Sequence, residues 1–175
     1  MVDVCVVGGG VMGLLSTLNL ARAGCQVCLV ERQALGQESS WAGGGLVSPL
    51  YPWRYTPAVT ALAHWSQDFY PQLAEQLLAQ TGIDPQVYAC GLYWLDLEDE
   101  SQALSWAAAR GYPLQQVAMQ QVRDVLPAIA ENFQCAVHTQ GLANVRNPRL
   151  IKALRAVLLQ QSNVRLLERS TVSGF

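Results

Sequence analysis

The chain opens on an apolar run bounded by glycine, VDVCVV at residues 2–7, rich in β-branched side chains. A run without polar alternation predicts a buried parallel strand. VMGLLSTLNLARAG follows at residues 11–24 with apolar positions at helical spacing as far as Gly24, and QVCLV at 26–30 reads as a second strand. Beyond Leu50 this rhythm changes. Thr56 and Pro57 supply a cap and a first helical residue for one helix over TPAVTALAHWSQDFYPQLAEQLLAQTG, with Leu62, Phe69, Leu73 and Leu77 as its stripe. That helix is expected to bend or break near Pro71 and to end at Gly82. GLYWLDL at 91–97 predicts a strand, DESQALSWAAARG a short helix, MQQVRDVLP another stopped by Pro127, and FQCAVHT a further strand. After GLANVRN the first style returns, with Asn147 as N-cap, Pro148 at the first helical position, an apolar stripe through Leu150, Ile151, Leu154 and Leu158, and the strand VRLLE. The pattern predicts an α/β fold: a Rossmann-like parallel-sheet domain, residues 1–50 and 145–175, interrupted by an inserted α+β region, residues 51–144. Neither an internal repeat nor a low-complexity segment interrupts it.

Composition narrows the function classes. With 51% hydrophobic and 14% charged residues among 175, the chain can bury a real core and is neither disordered nor fibrous. A net charge of −2 without a Lys/Arg cluster speaks against nucleic acid as a partner and leaves a small molecule. The N-terminus carries no basic leader, and no run approaches the ~18 apolar residues of a membrane span, so a cytoplasmic location is expected, with no membrane partner. Cys5, Cys25, Cys28, Cys90 and Cys135 are scattered and odd in number, which suits free thiols. Cys25-x-x-Cys28 leads into a strand and lacks a second pair, so no metal site is expected. His64 and His138 have no ligand-like spacing and read as surface or hydrogen-bonded structural residues.

Candidate chemistry begins where the first strand ends. Gly8, Gly10 and Gly13 form G-x-G-x-x-G between a strand and a helix. Gly8 permits the turn, Gly10 lets backbone N–H groups approach a pyrophosphate, and Gly13 lets the helix lie close on the strand with its N-terminus toward the anion. Glu31, 23 residues beyond Gly8 at the end of the second strand, is placed to bind a ribose hydroxyl. A carboxylate there disfavours a 2′-phosphate, leaving FAD or NAD. A second glycine cluster in ESSWAGGGLVSPLYPWRY, residues 38–55, favours the flavin. Ser39 and Ser40 can cap a helix or donate to phosphate, and Gly43, Gly44 and Gly45 leave bare backbone that a flat ring system can approach.

VVGGGVMGLL, VERQALGQESSWAGGGLVSPLYPWRY and GLANVRNPRLIKAL together resemble the D-amino-acid oxidase-like flavoprotein family, and within it the bacterial glycine oxidases. SSWAGGG combined with SPLYPWRY is far more specific than the dinucleotide fingerprint. The resemblance implies FAD, held at positions matching Val11 and Met12, Glu31 and Arg32, Ser39 and Ser40, and, beside the isoalloxazine, Gly44, Gly45 and Leu46. It also implies that Val172 touches the adenine side, the strand after the crossover running beside the first. The implied reaction is oxidation of glycine and related small amines by oxygen to an imine, then to glyoxylate, ammonia and hydrogen peroxide, in thiamine thiazole biosynthesis. Hydride passes from Cα to the flavin, so no side chain present is expected to act as acid or base.

Members of that family run to roughly twice this length and are homotetramers, and their substrate-gripping arginine matches no residue here. The resemblance therefore implies an N-terminal half, truncated, inactive alone and weak in retaining FAD. Arg54, between Trp53 and Tyr55, reads as a packing or surface arginine rather than a carboxylate clamp, Trp65, Trp94 and Trp106 read as core, and Trp41 and Trp53, flanking the flavin stretch, are the pocket candidates among the tryptophans. Competing readings are a sarcosine oxidase or D-amino-acid dehydrogenase of the same family, a nicotinamide-dependent reductase, and a non-catalytic FAD-binding fragment.

Overall fold

The computed structural model describes residues 1–174. In chain order the elements are β1 (Val4–Val7), α1 (Val11–Arg22), β2 (Val27–Val30), α2 (Ser39–Ala42), β3 (Leu46–Val47), a 3-10 turn (Pro52–Arg54), α3 (Pro57–Thr81), β4 (Tyr88–Ala89) and β5 (Leu92–Leu95). They continue with α4 (Glu100–Arg110), β6 (Leu114–Val117), α5 (Met119–Val125), β7 (Ala136–Thr139), β8 (Ala143–Asn144), α6 (Asn147–Leu159) and β9 (Val164–Leu167). They fall into two compact units. The first holds Met1–Gly45, Tyr70–Val87 and the residues from Val145 on; the second holds Leu46–Phe69 and Tyr88–Asn144.

In the first unit β1, β2 and β9 run parallel in the order β1-β2-β9, with Val4, Val27 and Val164 in register. This corrects the expectation that the strand after the crossover lies beside the first: β9 adds to β2. It also corrects the burial of β1, because Cys5 is exposed and Val7 is 54% exposed, whereas Val27, Cys28 and Leu29 of β2 are buried. A strand's burial is set by its neighbours as much as by its own side chains, and of these three strands β2 is the one with a strand on each side among the described residues. Helices α1 and α6 pack together, Leu14, Leu18 and Ala21 of one and Leu150, Ile151, Leu154 and Leu158 of the other supplying the apolar core. Each leucine taken fully from water contributes about 1.5–3 kcal/mol. The Asn163 side chain donates to the carbonyls of Ala21 and Cys25, both at 2.9 Å, satisfying acceptors at the C-terminal end of α1.

Helix α6 starts at Asn147 with Arg146, not Asn147, at its N-cap, so that expectation is corrected; the Asn147 side chain is engaged elsewhere. Helix α3 runs unbroken through Pro71. A proline inside a helix costs about 3 kcal/mol, and full burial of Leu73 and Leu77 in the first unit recovers as much or more.

In the second unit β5-β7-β6 and β3-β8-β4 are antiparallel ladders. Trp53, Trp94, Ala103, Val137 and Leu142 form a core, with the two indoles edge-on at 5.4 Å. Trp53 and Trp94 are buried, but Trp65 is 65% exposed and stacks on Phe69, so the expectation of a core position fails there, while Trp41, set apart from that expectation, is 46% exposed. The histidines pack rather than coordinate: His64 stacks on Tyr112 and His138 on Tyr93. His64 Nε2 is buried without a hydrogen-bond partner among the described residues, so stacking rather than hydrogen bonding holds that ring. All five cysteines are free. Among the described residues no helix is long and apolar enough to cross a membrane, and no three His, Cys, Asp or Glu side chains gather as a metal site would require.

Candidate dinucleotide site

The site is built in the first unit where β1 hands over to α1. Gly8 takes φ +105°, a conformation that side-chain-bearing residues rarely adopt, and a Cβ on Gly13 would collide with the Gly8 carbonyl oxygen. These two glycines let the strand turn directly into a helix whose N-cap is Gly10. With no side-chain cap on that helix, its first amides are available to an acceptor brought from elsewhere.

Two side chains supply acceptors. Ser40 Oγ accepts from Val11 N at 2.8 Å, and Glu31 Oε2 accepts from Gly9 N at 2.7 Å. The other carboxylate oxygen of Glu31 accepts from Gln33 N at 2.8 Å. The Gln33 amide, then the Gly9 amide, holds the Glu31 carboxyl below its ordinary value, against partial desolvation. Glu31 is thus a fixed carboxylate at the end of β2, and each oxygen keeps a lone pair for a further donor. Opposite it, Gly36 N donates to Gly9 O at 2.8 Å and Leu35 N to Glu168 Oε1 at 2.9 Å, pinning the 33–36 loop against the glycine turn. Together these elements enclose a pocket of about 170 Å³ lined by Gly8, Gly10, Glu31, Ala34, Gly36, Gln37, Glu38, Ser39 and Ser40.

The sequence-predicted residues divide accordingly. Gly8, Gly10, Glu31, Ser39 and Ser40 converge on that pocket, and Gly13 packs against the Gly8 carbonyl outside its lining. Val11 contributes its amide, while the Met12 side chain, 74% exposed, is free of the core. Arg32 lies outside the pocket lining, exposed, with its guanidinium donating to Glu38. Val172 is half-buried in irregular backbone beyond β9. Ser170 N donates to Glu31 O and Arg169 N to Gln33 O, so the segment leading to it follows the end of β2. Leu46 opens β3 in the second unit and is 46% exposed.

The glycine run is the part whose sequence reading was least resolved. Gly43 N closes α2 by donating to Ser39 O; Gly43 O accepts from the Asn147 side chain at 2.8 Å; Gly45 O accepts from Val145 N at 2.7 Å. A Cβ on Gly45, whose φ is +74°, would strike the Val145 carbonyl, whereas one on Gly44 would meet nothing within 4 Å. Packing therefore explains Gly45 and leaves Gly44 bare beside open space. Periodicity carried no signal for the contacts of Gly36 with Gly9 and of Asn147 with Gly43, because they join segments remote in sequence.

In the second unit Arg54 forms a two-pronged pair with Asp99, 2.8 Å on each prong, and its guanidinium lies 4.2 Å over the Tyr51 ring. Trp53 Nε1 donates to the same Asp99 at 2.7 Å. Arg54 above all holds the Asp99 carboxyl down at about 2. With its fork already filled by a carboxylate of this chain, Arg54 is a packing arginine.

The sequence profile of the D-amino-acid oxidase (DAO) family, described as FAD dependent oxidoreductase, matches residues 3–175. Glycine oxidase of Pseudomonas putida is 58% identical over 173 residues, 99% of this chain and 47% of that protein. Glycine oxidase of Pseudomonas aeruginosa is 56% identical over 172 residues, 98% of this chain and 47% of that protein. The crystal structure of glycine oxidase from Bacillus cereus superposes with a TM-score of 0.87 at 29% identity, over 99% of this chain and 47% of that one. The chain spans about half the length of the curated relatives it matches.

Proposed function

The chain belongs to the FAD dependent oxidoreductase family, and from that premise we propose that it contributes the dinucleotide-binding half of an oxidase acting on glycine and similar small amines such as sarcosine and some D-amino acids. The observation that carries the proposal is the convergence of Gly8, Gly10, Glu31 and Ser40 on one pocket at an uncapped helix N-terminus. The high identity to two glycine oxidases over almost the whole chain supports glycine-like small amines as the substrate class.

The residues present fit FAD. Ser40 Oγ, resting against the Val11 amide, marks a point where backbone N–H groups welcome an electron-rich oxygen, the demand a pyrophosphate makes. Glu31 is already ionised and fixed, ready to accept from the ribose hydroxyls without reorganising. Arg32, tethered by Glu38, and Val11, Met12, Ser39 and Val172 would hold the adenosine and pyrophosphate, and Gly44 and Gly45 would leave bare backbone for the ring. When bound, FAD supplies the two-electron acceptor for the amine Cα–H bond and passes those electrons to oxygen, releasing hydrogen peroxide. The chain's own residues bind and orient, and no side chain in the pocket is assigned a proton transfer. The imine product hydrolyses to glyoxylate and ammonia or serves thiazole assembly for thiamine, in the cytoplasm and in a homotetramer.

The test is the visible spectrum of the FAD-incubated protein after gel filtration, followed by anaerobic glycine. Bleaching of a retained flavin band by glycine or sarcosine, with oxygen restoring it and releasing peroxide, would show a working oxidase and overturn the expectation that this half is inactive alone. Bleaching by NADH instead contradicts the proposal, whereas loss of the flavin on the column is the weak retention expected of a chain that spans about half the length of its relatives. A band that no amine bleaches restricts these residues to FAD binding.

A further inference from the structure

Asn147 stands at the start of α6 with a side chain that does nothing for its own helix: the N-cap is Arg146, without a side-chain cap bond. Its amide instead crosses to α2 and donates to Gly43 O at 2.8 Å, 104 residues away in sequence. Two residues earlier Val145 N donates to Gly45 O at 2.7 Å. The pairs 43/147 and 45/145 are two residues apart on each segment, the spacing of alternate rungs in an antiparallel ladder. At 147 the backbone turns into a helix and Pro148 follows, so the side chain supplies the rung that the main chain cannot. Gly43 and Gly45 are thereby fixed, and Gly44, with open space beside it, is the apex of an arch held at both feet.

We propose that Asn147 is a positioning residue: by donating to Gly43 O it sets the shape of the Gly43–Gly45 arch, and the arch in that shape is what receives the flavin ring. The inference rests on the FAD reading above. Donation, rather than bulk, is the essential property. An amide has two N–H donors, whereas an ionised carboxylate of the same outline has only acceptors. Turned toward the Gly43 carbonyl, that carboxylate opposes two electron-rich oxygens and pushes the foot of the arch away.

The experiment compares Asn147→Asp and Asn147→Ala with the unaltered protein by backbone amide exchange over residues 42–46 without FAD, and by FAD titration with the position of the bound flavin's visible band. The expected result is faster exchange, a displaced band and weaker FAD binding in both variants, about tenfold in Asn147→Ala and more in Asn147→Asp. That order identifies donation. A side chain that merely fills space would leave the isosteric aspartate close to the unaltered protein and alanine the worse, which overturns the inference, as does unchanged exchange or unchanged FAD affinity in both. Circular dichroism on the same samples shows whether either variant has lost its fold, and exchange confined to 42–46 keeps the reading local. If the unaltered protein binds no FAD, the FAD reading itself has failed. If it binds FAD and both variants bind equally well, only the role of Asn147 has failed.

Discussion

Gly44 and Gly45 are neighbours of one kind that do different work. Gly45 sits at φ +74° against the Val145 carbonyl, so its bareness is demanded by the fold; Gly44 meets nothing. Gly45→Ala should therefore destabilise the protein by about 1–3 kcal/mol, read as a lower melting temperature, whether or not FAD is present. Gly44→Ala should melt like the unaltered protein without FAD and show its loss only in FAD titration. Equal damage to stability from both substitutions would mean that Gly44 is a packing residue and that the arch has no free apex. The sequence displayed all three glycines and gave no means of telling them apart, because the partner that separates them lies a hundred residues on.

At the scale of elements, the 3-10 turn Pro52–Arg54 is tied to the start of α4 through one carboxylate, Asp99, which receives Arg54 twice and the Trp53 indole once. Its folded value of about 2 lies below the ordinary aspartate value of 3.8. A depressed carboxyl stabilises fully above the unfolded value and loses that contribution as the pH falls from about 4 to about 2. Acid should thus loosen this tie, reported by the fluorescence of the buried Trp53, and Asp99→Asn should reduce the pH dependence of that signal in this window while lowering stability at neutral pH. An unchanged acid limb in the variant would place the sensitivity elsewhere. Elements whose own side chains settle their state were legible here: α1 and α6 have apolar stripes that pack on each other, and β2 is apolar on both faces. β6 was missed because LQQV spends its middle on two glutamines, affordable for a strand at the edge of its ladder. Helix α3 was expected to bend or break at Pro71; it does not break, the burial of Leu73 and Leu77 offsetting the proline's cost.

Across the molecule, the fold class and most of the lining of the pocket at the first glycine turn were readable because glycine spacing and the 23-residue interval to Glu31 are local consequences of a strand–helix–strand unit. Strand order was not: β9 joined β2, and β1 kept Cys5 and Val7 exposed, an arrangement fixed by crossover connections that hydropathy does not encode. The neutralisation of Arg54 by Asp99 was equally hidden, since the two lie 45 residues apart. The central claim is that the pocket around Glu31 holds FAD. Its most direct test is a fluorescence titration of FAD into the protein and into Glu31→Gln, which keeps the shape but turns a donor toward the Gly9 or Gln33 amide. Saturable quenching in the unaltered protein and affinity at least about tenfold weaker in the variant is the predicted result. Binding that ignores the substitution, or no saturable binding in the unaltered protein, would contradict it.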